Sequence, residues 1–161
     1  MTINTKTLAA IDIGTNAIRL FISNVEEYPT ETLFKKIAFL RVPIRLGEDV
    51  FTTGEIGQQK GKRLCETMQG FSYIMSAFNV ESYKAYATCA MREARNGKSV
   101  AEQIQKECDL NIEIISGTKE AETIFAGGMN EVVDDDKTYL YVDVGGGSTE
   151  VIVYSKSVKV E

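Results

Sequence analysis

Two twelve-residue stretches of the chain, Ile11–Ile22 and Val142–Val153, align without a gap. Asp143 stands 131 residues after Asp12 (143 − 12), and the aspartate, the first glycine and the flanking aliphatic residues all coincide. Each stretch is a β-branched or aliphatic run that enters a short turn and a second such run that leaves it, the pattern of a hairpin. Asp-Gly turns recur by chance, but here the agreement continues through the strands, which a duplicated unit explains more simply. A ligand held between the two units would be gripped by both turns.

The composition of the turns indicates the kind of ligand. Gly145-Gly146-Gly147 has given up its side chains, so bare backbone can press against a bound group, and successive N–H groups can converge on an anion. Ser148 and Thr149 add hydroxyl donors at the rim, and Gly14, Thr15, Asn16 and Arg19 occupy the matching places in the first unit. Asp143, at the end of the incoming strand, would repel phosphate oxygens unless a hard divalent cation lay between them. The second turn therefore suggests metal-bound phosphate.

Length, charge and residue usage narrow the possibilities further. A chain of 161 residues suffices for one domain with a core. The repeat offset, however, leaves only about residues 138–161 for the second copy, too little to form a core alone. The expectation is one complete lobe over residues 1–133 and the opening strands of a second over 134–161, so that the chain reads as a fragment. A net charge of −5 and a pI near 5.0 argue against a general nucleic-acid binder, which needs a basic face. The chain has no histidine, which excludes histidine bases and histidine metal ligands. Cys65, Cys89 and Cys108 are odd in number and lack C-x-x-C spacing, so neither a disulfide frame nor a zinc site is expected. No apolar run is long enough to span a bilayer and the first residues lack a signal-peptide layout, which makes the cytoplasm the default and a membrane role unexpected.

In chain order, Thr7–Ile13 and Ala17–Val25 form the first hairpin and Thr32–Val42 a third antiparallel strand. Arg41 to Asp49 reads as a loop. Glu55–Phe78 is the longest helix, with Leu64, Met68, Phe71, Met75 and Phe78 on one buried stripe. Ser82–Thr88 is a strand, and the segment from Cys89 is a short helical turn closed by Asn96-Gly97. Arg92, beyond the end of that strand, suits phosphate; pairing with a neighbouring carboxylate is its alternative. Ser99-Val-Ala-Glu102 reads as a capping box that opens a helix to about Asp109, in which Cys108 is a small buried hydrophobe. Asn111–Ile115 is the next strand. A helix follows from near Lys119, with Ala121, Ile124, Phe125, Gly128 and Met129 on its apolar stripe. Glu120, in its first turn, would look into the interlobe cleft, although glutamate also suits a first helical turn because it answers the macrodipole. Gly127-Gly128 weakens that helix and calls for close packing or a hinge. After the connector Asp134–Lys137, Thr138–Val144 and Thr149–Tyr154 form the second hairpin, and Ser157–Glu161 begins a third strand.

Four motifs in this order, Asp12-Ile-Gly14-Thr-Asn16-Ala-Ile-Arg19, Ala87-Thr-Cys-Ala-Met-Arg92-Glu-Ala-Arg-Asn96, Ile114-Ile-Ser-Gly117-Thr-Lys-Glu120-Ala and Asp143-Val-Gly-Gly-Gly147-Ser-Thr-Glu150, resemble the exopolyphosphatase and guanosine pentaphosphate phosphohydrolase family. The resemblance runs from about Leu8 to the last residue. It implies an α/β fold of the actin, sugar-kinase and Hsp70 superfamily: a ribonuclease H-like lobe with a mixed five-stranded sheet, plus the first strands of a second, similar lobe. It also implies that Glu120 is the general base for the attacking water. Asp143 and Glu150 would belong to a Mg²⁺ and phosphate site, Ser148 would bind phosphate, and Arg92 would lie in the substrate channel.

The resemblance implies polyphosphate or guanosine pentaphosphate as the substrate. The chain departs from many relatives at Ala17, where serine is usual, and at Lys119, often acidic; a cation there would make Glu120 a weaker base. Two other functions share these turns: phosphoryl transfer from ATP, as in acetate or sugar kinases, and non-catalytic binding of guanosine tetra- or pentaphosphate. The 161 residues alone are expected to be inactive or nearly so, with an open strand edge liable to pair two copies into a homodimer.

Overall fold

The computed structural model describes residues 4–127, 137–147 and 149–155. Three strands, β1 (Asn4–Ile13), β2 (Ile18–Glu27) and β3 (Thr32–Val42), form an antiparallel meander. Two further strands, β4 (Ser82–Ala87) and the short β5 (Glu113–Ile114), join parallel to β1, giving one mixed sheet in the order β3-β2-β1-β4-β5. Strand alternation sorts its two faces. Ala9, Ile11 and Ile13 of β1 and Ile18, Leu20 and Ile22 of β2 point to one side and are buried. Asp12, Arg19 and Phe21 belong to the other face.

The buried face is covered by α2 (Gln58–Ala77) and α4 (Gly97–Cys108), which pack against each other. Leu64, Met68, Phe71 and Met75 of α2 enter the core with Ile104 of α4, and each such side chain contributes about 1.5–3 kcal/mol by leaving water. Phe78 departs from the expected stripe. It caps the helix and is 41% exposed. The helix also starts at Gln58, because Gly57 is extended and its N–H donates to Asp49 Oδ2 at 3.1 Å.

Two other local readings need correction. The supposed loop from Arg41 to Asp49 contains the start of a helix, α1 (Leu46–Thr53), which Arg45 enters in the left-handed conformation at φ 59°. Ser99 does not cap α4: the helix begins two residues earlier, at Gly97, with Asn96 before it. The Asn96 side chain is engaged elsewhere, bonded to both the N–H and the carbonyl of Ile56 at 2.9 Å. Gly97 admits no side chain unless backbone shifts, since a Cβ there would lie 2.0 Å from the Met91 carbonyl oxygen.

The sheet's parallel strands β1, β4 and β5 end at one edge. There Thr88 N–H donates to Ile13 O at 3.2 Å and Ile115 N–H to Ala87 O at 3.0 Å, which locks the three strand ends together. Past that edge run the turn after β1, the short helix α3 (Cys89–Glu93) and α5 (Gly117–Ala126). Helix α5 begins two residues before Lys119, with Ser116 Oγ capping the Lys119 N–H at 3.2 Å. It closes at Gly127, so this glycine ends the helix and does not weaken its interior. Gly128, Met129, the segment 134–136 and the proposed strand 157–161 lie outside the described residues. A separate hairpin, β6 (Thr138–Val144) with β7 (Thr149–Ser155), has the expected boundaries to within a residue. Among the described residues no helix is long and apolar enough to cross a membrane.

Candidate active site

The first turn is held by both of its flanks. Gly14 N–H donates to Ala17 O at 3.2 Å, while the carbonyls of Thr15 and Asn16 accept from Gly47 and Arg45 N–H at 3.1 and 3.0 Å. The start of α1 thus fastens the turn from below. Close approach leaves no room for a side chain at Gly47, where a Cβ would sit 2.4 Å from Thr15 Cγ2. Gly14 N–H is therefore occupied and does not form part of an anion nest. The N–H groups of Thr15 and Asn16, by contrast, have no hydrogen-bond partner among the described residues.

The second turn closes onto the first. A Cβ on Gly146 would fall 2.1 Å from Asn16 Nδ2, and one on Gly147 would fall 2.2 Å from Phe51 Cε2 and 3.1 Å from Thr15 Cγ2. Gly146 and Gly147 thus lie directly against side chains of the first unit, which would have to move to admit a Cβ at either position. Between the turns lies a cleft of about 690 Å³. Gly14, Thr15 and Asn16 line it from one side, Gly145 and Gly146 from the other, and Asp12, Arg19 and Glu120 reach it from the sheet edge. The repeated units thus face each other across a single opening.

Several charges in this region are paired. Arg19 Nη1 lies 2.7 Å from Asp12 Oδ2, an ion pair between directly opposed residues of β1 and β2. In the second hairpin the same register sets Asp143 opposite Glu150. One unit therefore carries an acid and a base in these places, and the other carries two acids. The side-chain surroundings of Asp143 and Glu150, and all of Ser148, lie outside what the structure describes. Among the described residues no cluster of three or more acidic, cysteine or histidine side chains is placed to hold a metal ion. Thr149 opens β7 and is exposed.

Glu120 occupies the first turn of α5, its side chain 17% exposed, with Arg92 Nη1 3.3 Å from its Oε2. Arg92 itself does not line the cleft. Lys119 faces away from Glu120: its Nζ bonds to Glu113 Oε1 and lies 5.4 Å from the Tyr86 ring centre. That hydrogen bond to Glu113 raises the Lys119 pKa, followed by opposing desolvation and by attraction from Glu113, Tyr86 and Glu122. Sequence reasoning missed the aromatic floor of the cleft, made by Phe21, Phe39 and Tyr86. Its signal was present, because Phe21 follows Arg19 by two residues on one strand and pairs with Phe39 across β2 and β3.

With this geometry in place, comparison with known proteins is decisive. Residues 10–161 match the model of the Ppx/GppA phosphatase family. The chain belongs to that family. It is 34% identical over 146 residues to a bifunctional 3-dehydroquinate synthase/phosphatase of Fusobacterium nucleatum, covering 88% of this chain and 22% of that protein. It is 28% identical over 151 residues to exopolyphosphatase 2 of Mycobacterium tuberculosis, covering 91% and 47%. The crystal structure of an exopolyphosphatase from Cytophaga hutchinsonii superposes with a TM-score of 0.82 at 29% identity, over 95% of this chain and 48% of that one. The mixed five-stranded sheet is accordingly that of an actin-like lobe. The Ppx/GppA chain described here spans about half the length of the exopolyphosphatases it matches.

Proposed function

We propose that this chain forms one side of the active site of a phosphoanhydride hydrolase, which releases terminal phosphate from inorganic polyphosphate, guanosine pentaphosphate or both. One observation carries this reading: the two sister turns and Glu120 all line the same cleft. The Thr15 and Asn16 N–H groups, unpartnered among the described residues, suit the oxygens of a bound phosphate. Gly145, Gly146, Gly147, Ser148 and Thr149 would hold the opposite side of the chain of phosphates, and Arg19, on β2 just past the first turn, would meet the next phosphate along. The exopolyphosphatases among the relatives support polyphosphate as a substrate class.

The register of the second hairpin suits Mg²⁺. Like charges set opposite each other on paired strands are destabilising, so two acidic residues in the register of Asp143 and Glu150 would favour a hard cation with oxygen ligands. When bound there, the ion would offset charge that gathers on the transferred phosphoryl oxygens. The protein's own groups account for the remaining steps. Backbone N–H groups hold the phosphates in line, and Glu120 orients a water and accepts its proton as the bond to phosphorus forms and the bond to the leaving chain breaks. In the full-length protein that carries this chain, Glu120→Ala should slow phosphate release by on the order of 10²–10⁴-fold with an unchanged circular dichroism spectrum. Undiminished release would remove Glu120 from the mechanism.

A further inference from the structure

We infer that Arg92 works on Glu120 and not on the substrate: it is the positioning residue that fixes the proposed base, an inference that rests on the reading of Glu120 given above. Its Nη1 donates to the Ile115 carbonyl at 2.9 Å and lies 3.3 Å from Glu120 Oε2, so both N–H bonds of that nitrogen have acceptors in the protein. Its Nε lies 3.7 Å from Glu93 Oε1. An arginine that grips phosphate does so with an open two-pronged fork, and here one prong is already engaged by the protein. Arg92 is also absent from the lining of the cleft, which Glu120 does line. The guanidinium thus lies outside the cleft lining, bonded to the Ile115 carbonyl.

The foundations of the two residues differ in a way that calls for such a strut. Arg92 rises from α3, whose Cys89, Ala90 and Met91 are buried, and its own N–H donates to Thr88 O at 3.0 Å. Thr88 is in turn bonded to the end of β1. Helix α5 has no buried residue among those described: Gly117, Lys119, Glu120, Ala121 and Ile124 are half-buried, and Thr118, Glu122, Thr123 and Ala126 are exposed. A carboxylate on a lightly packed helix wanders unless a side chain from firmer ground holds it. Arg92 ties it to the same strand end, at Ile115, that the sheet edge fixes. Because displacing a catalytic group by about 1 Å costs up to 10²-fold, the tether matters to rate and not to substrate affinity.

Steady-state phosphate release by the full-length protein tests this. Arg92→Gln should lower kcat by about 10–100-fold while KM stays within about threefold. Arg92→Lys, which restores a cation able to reach one acceptor, should recover part of the loss, and it serves as the second variant if the glutamine form folds poorly. In a Glu120→Gln background the Arg92→Gln change should cost nothing further, since the two act as a unit. A raised KM with kcat preserved, or losses that multiply in the double variant, would overturn the positioning role and leave Glu120 as base untouched. Full activity of Glu120→Gln alone would instead reject the base, and the inference with it.

Discussion

At the scale of single residues, the site is built from charges whose partners decide what they can do. The Asp12–Arg19 pair is about half exposed on each side, so it contributes at most about 1 kcal/mol to stability. Arg19→Gln should therefore leave the urea midpoint nearly unchanged while raising KM by roughly 10–100-fold, the loss of one charge-assisted hydrogen bond to phosphate. A large shift in the midpoint with KM unaltered would assign Arg19 to structure instead. The cysteines are free, as the sequence reading expects, but two of them meet. Cys108 is buried as expected, yet its Sγ lies 3.6 Å from that of Cys65, which also donates to Glu107 Oε2 at 2.9 Å. Burial, then Glu107 and Cys108, push the Cys65 thiol up to about 12 from 9.0. The folded chain keeps this proton where the unfolded chain releases it, so the stability it supplies is full below about pH 9 and is lost as pH rises through about 12. Thiol labelling at pH 8 should find Cys65 sluggish in the native protein and ordinary in urea. No spacing in the sequence announces this meeting, because the two residues come from different helices and only their packing brings them together.

At the scale of elements, the sequence is most legible where one pattern runs long. The boundaries of β3 and β6 follow from β-branched runs, while β1 starts at Asn4, three residues before the expected Thr7, and the apolar steps of α2 locate four core residues. Misreadings cluster at helix starts. Pro43 and Gly47 look like loop punctuation, but Gly47 is there because Thr15 and Phe51 crowd it, and the chain enters α1 through a left-handed Arg45. Ser99 and Glu102 have capping-box spacing, yet the helix starts at Gly97, where the backbone lies too close to the Met91 carbonyl for a Cβ to fit unmoved. Two glycine substitutions separate these effects. Gly97→Ala should cost about 1–3 kcal/mol, since backbone must move to admit the methyl. Gly70→Ala, in the middle of α2 with nothing within 4 Å of the added carbon, should stabilise by about 0.4–1 kcal/mol. Urea unfolding of both variants checks the opposite signs. The aromatic floor under the turns was legible in strand alternation, whereas the link from Arg92 to Glu120, 28 residues apart, required the fold.

At the scale of the whole molecule, the lobe is closed and the second hairpin is not. Leu140, Val144, Val151 and Val153 are each at least 60% exposed, a concentration of apolar surface on two paired strands. The 161-residue chain by itself should associate through them as its concentration rises, and Val144→Lys with Val153→Lys should shift sedimentation toward the monomer. Equal association by wild type and variant would place the contact elsewhere. The repeat made this arrangement foreseeable, since similar units separated by 131 residues suit opposite sides of one opening; the sequence alone did not reveal that they would touch. That contact sets a mechanical limit. Because Gly146 abuts Asn16 and Gly147 abuts Phe51, a methyl group at either position meets the end of a side chain that must swing aside before the jaws can meet. Tolerance to substitution at 146 and 147 should then be set by how far Asn16 and Phe51 can yield, before any question of chemistry at a phosphate arises.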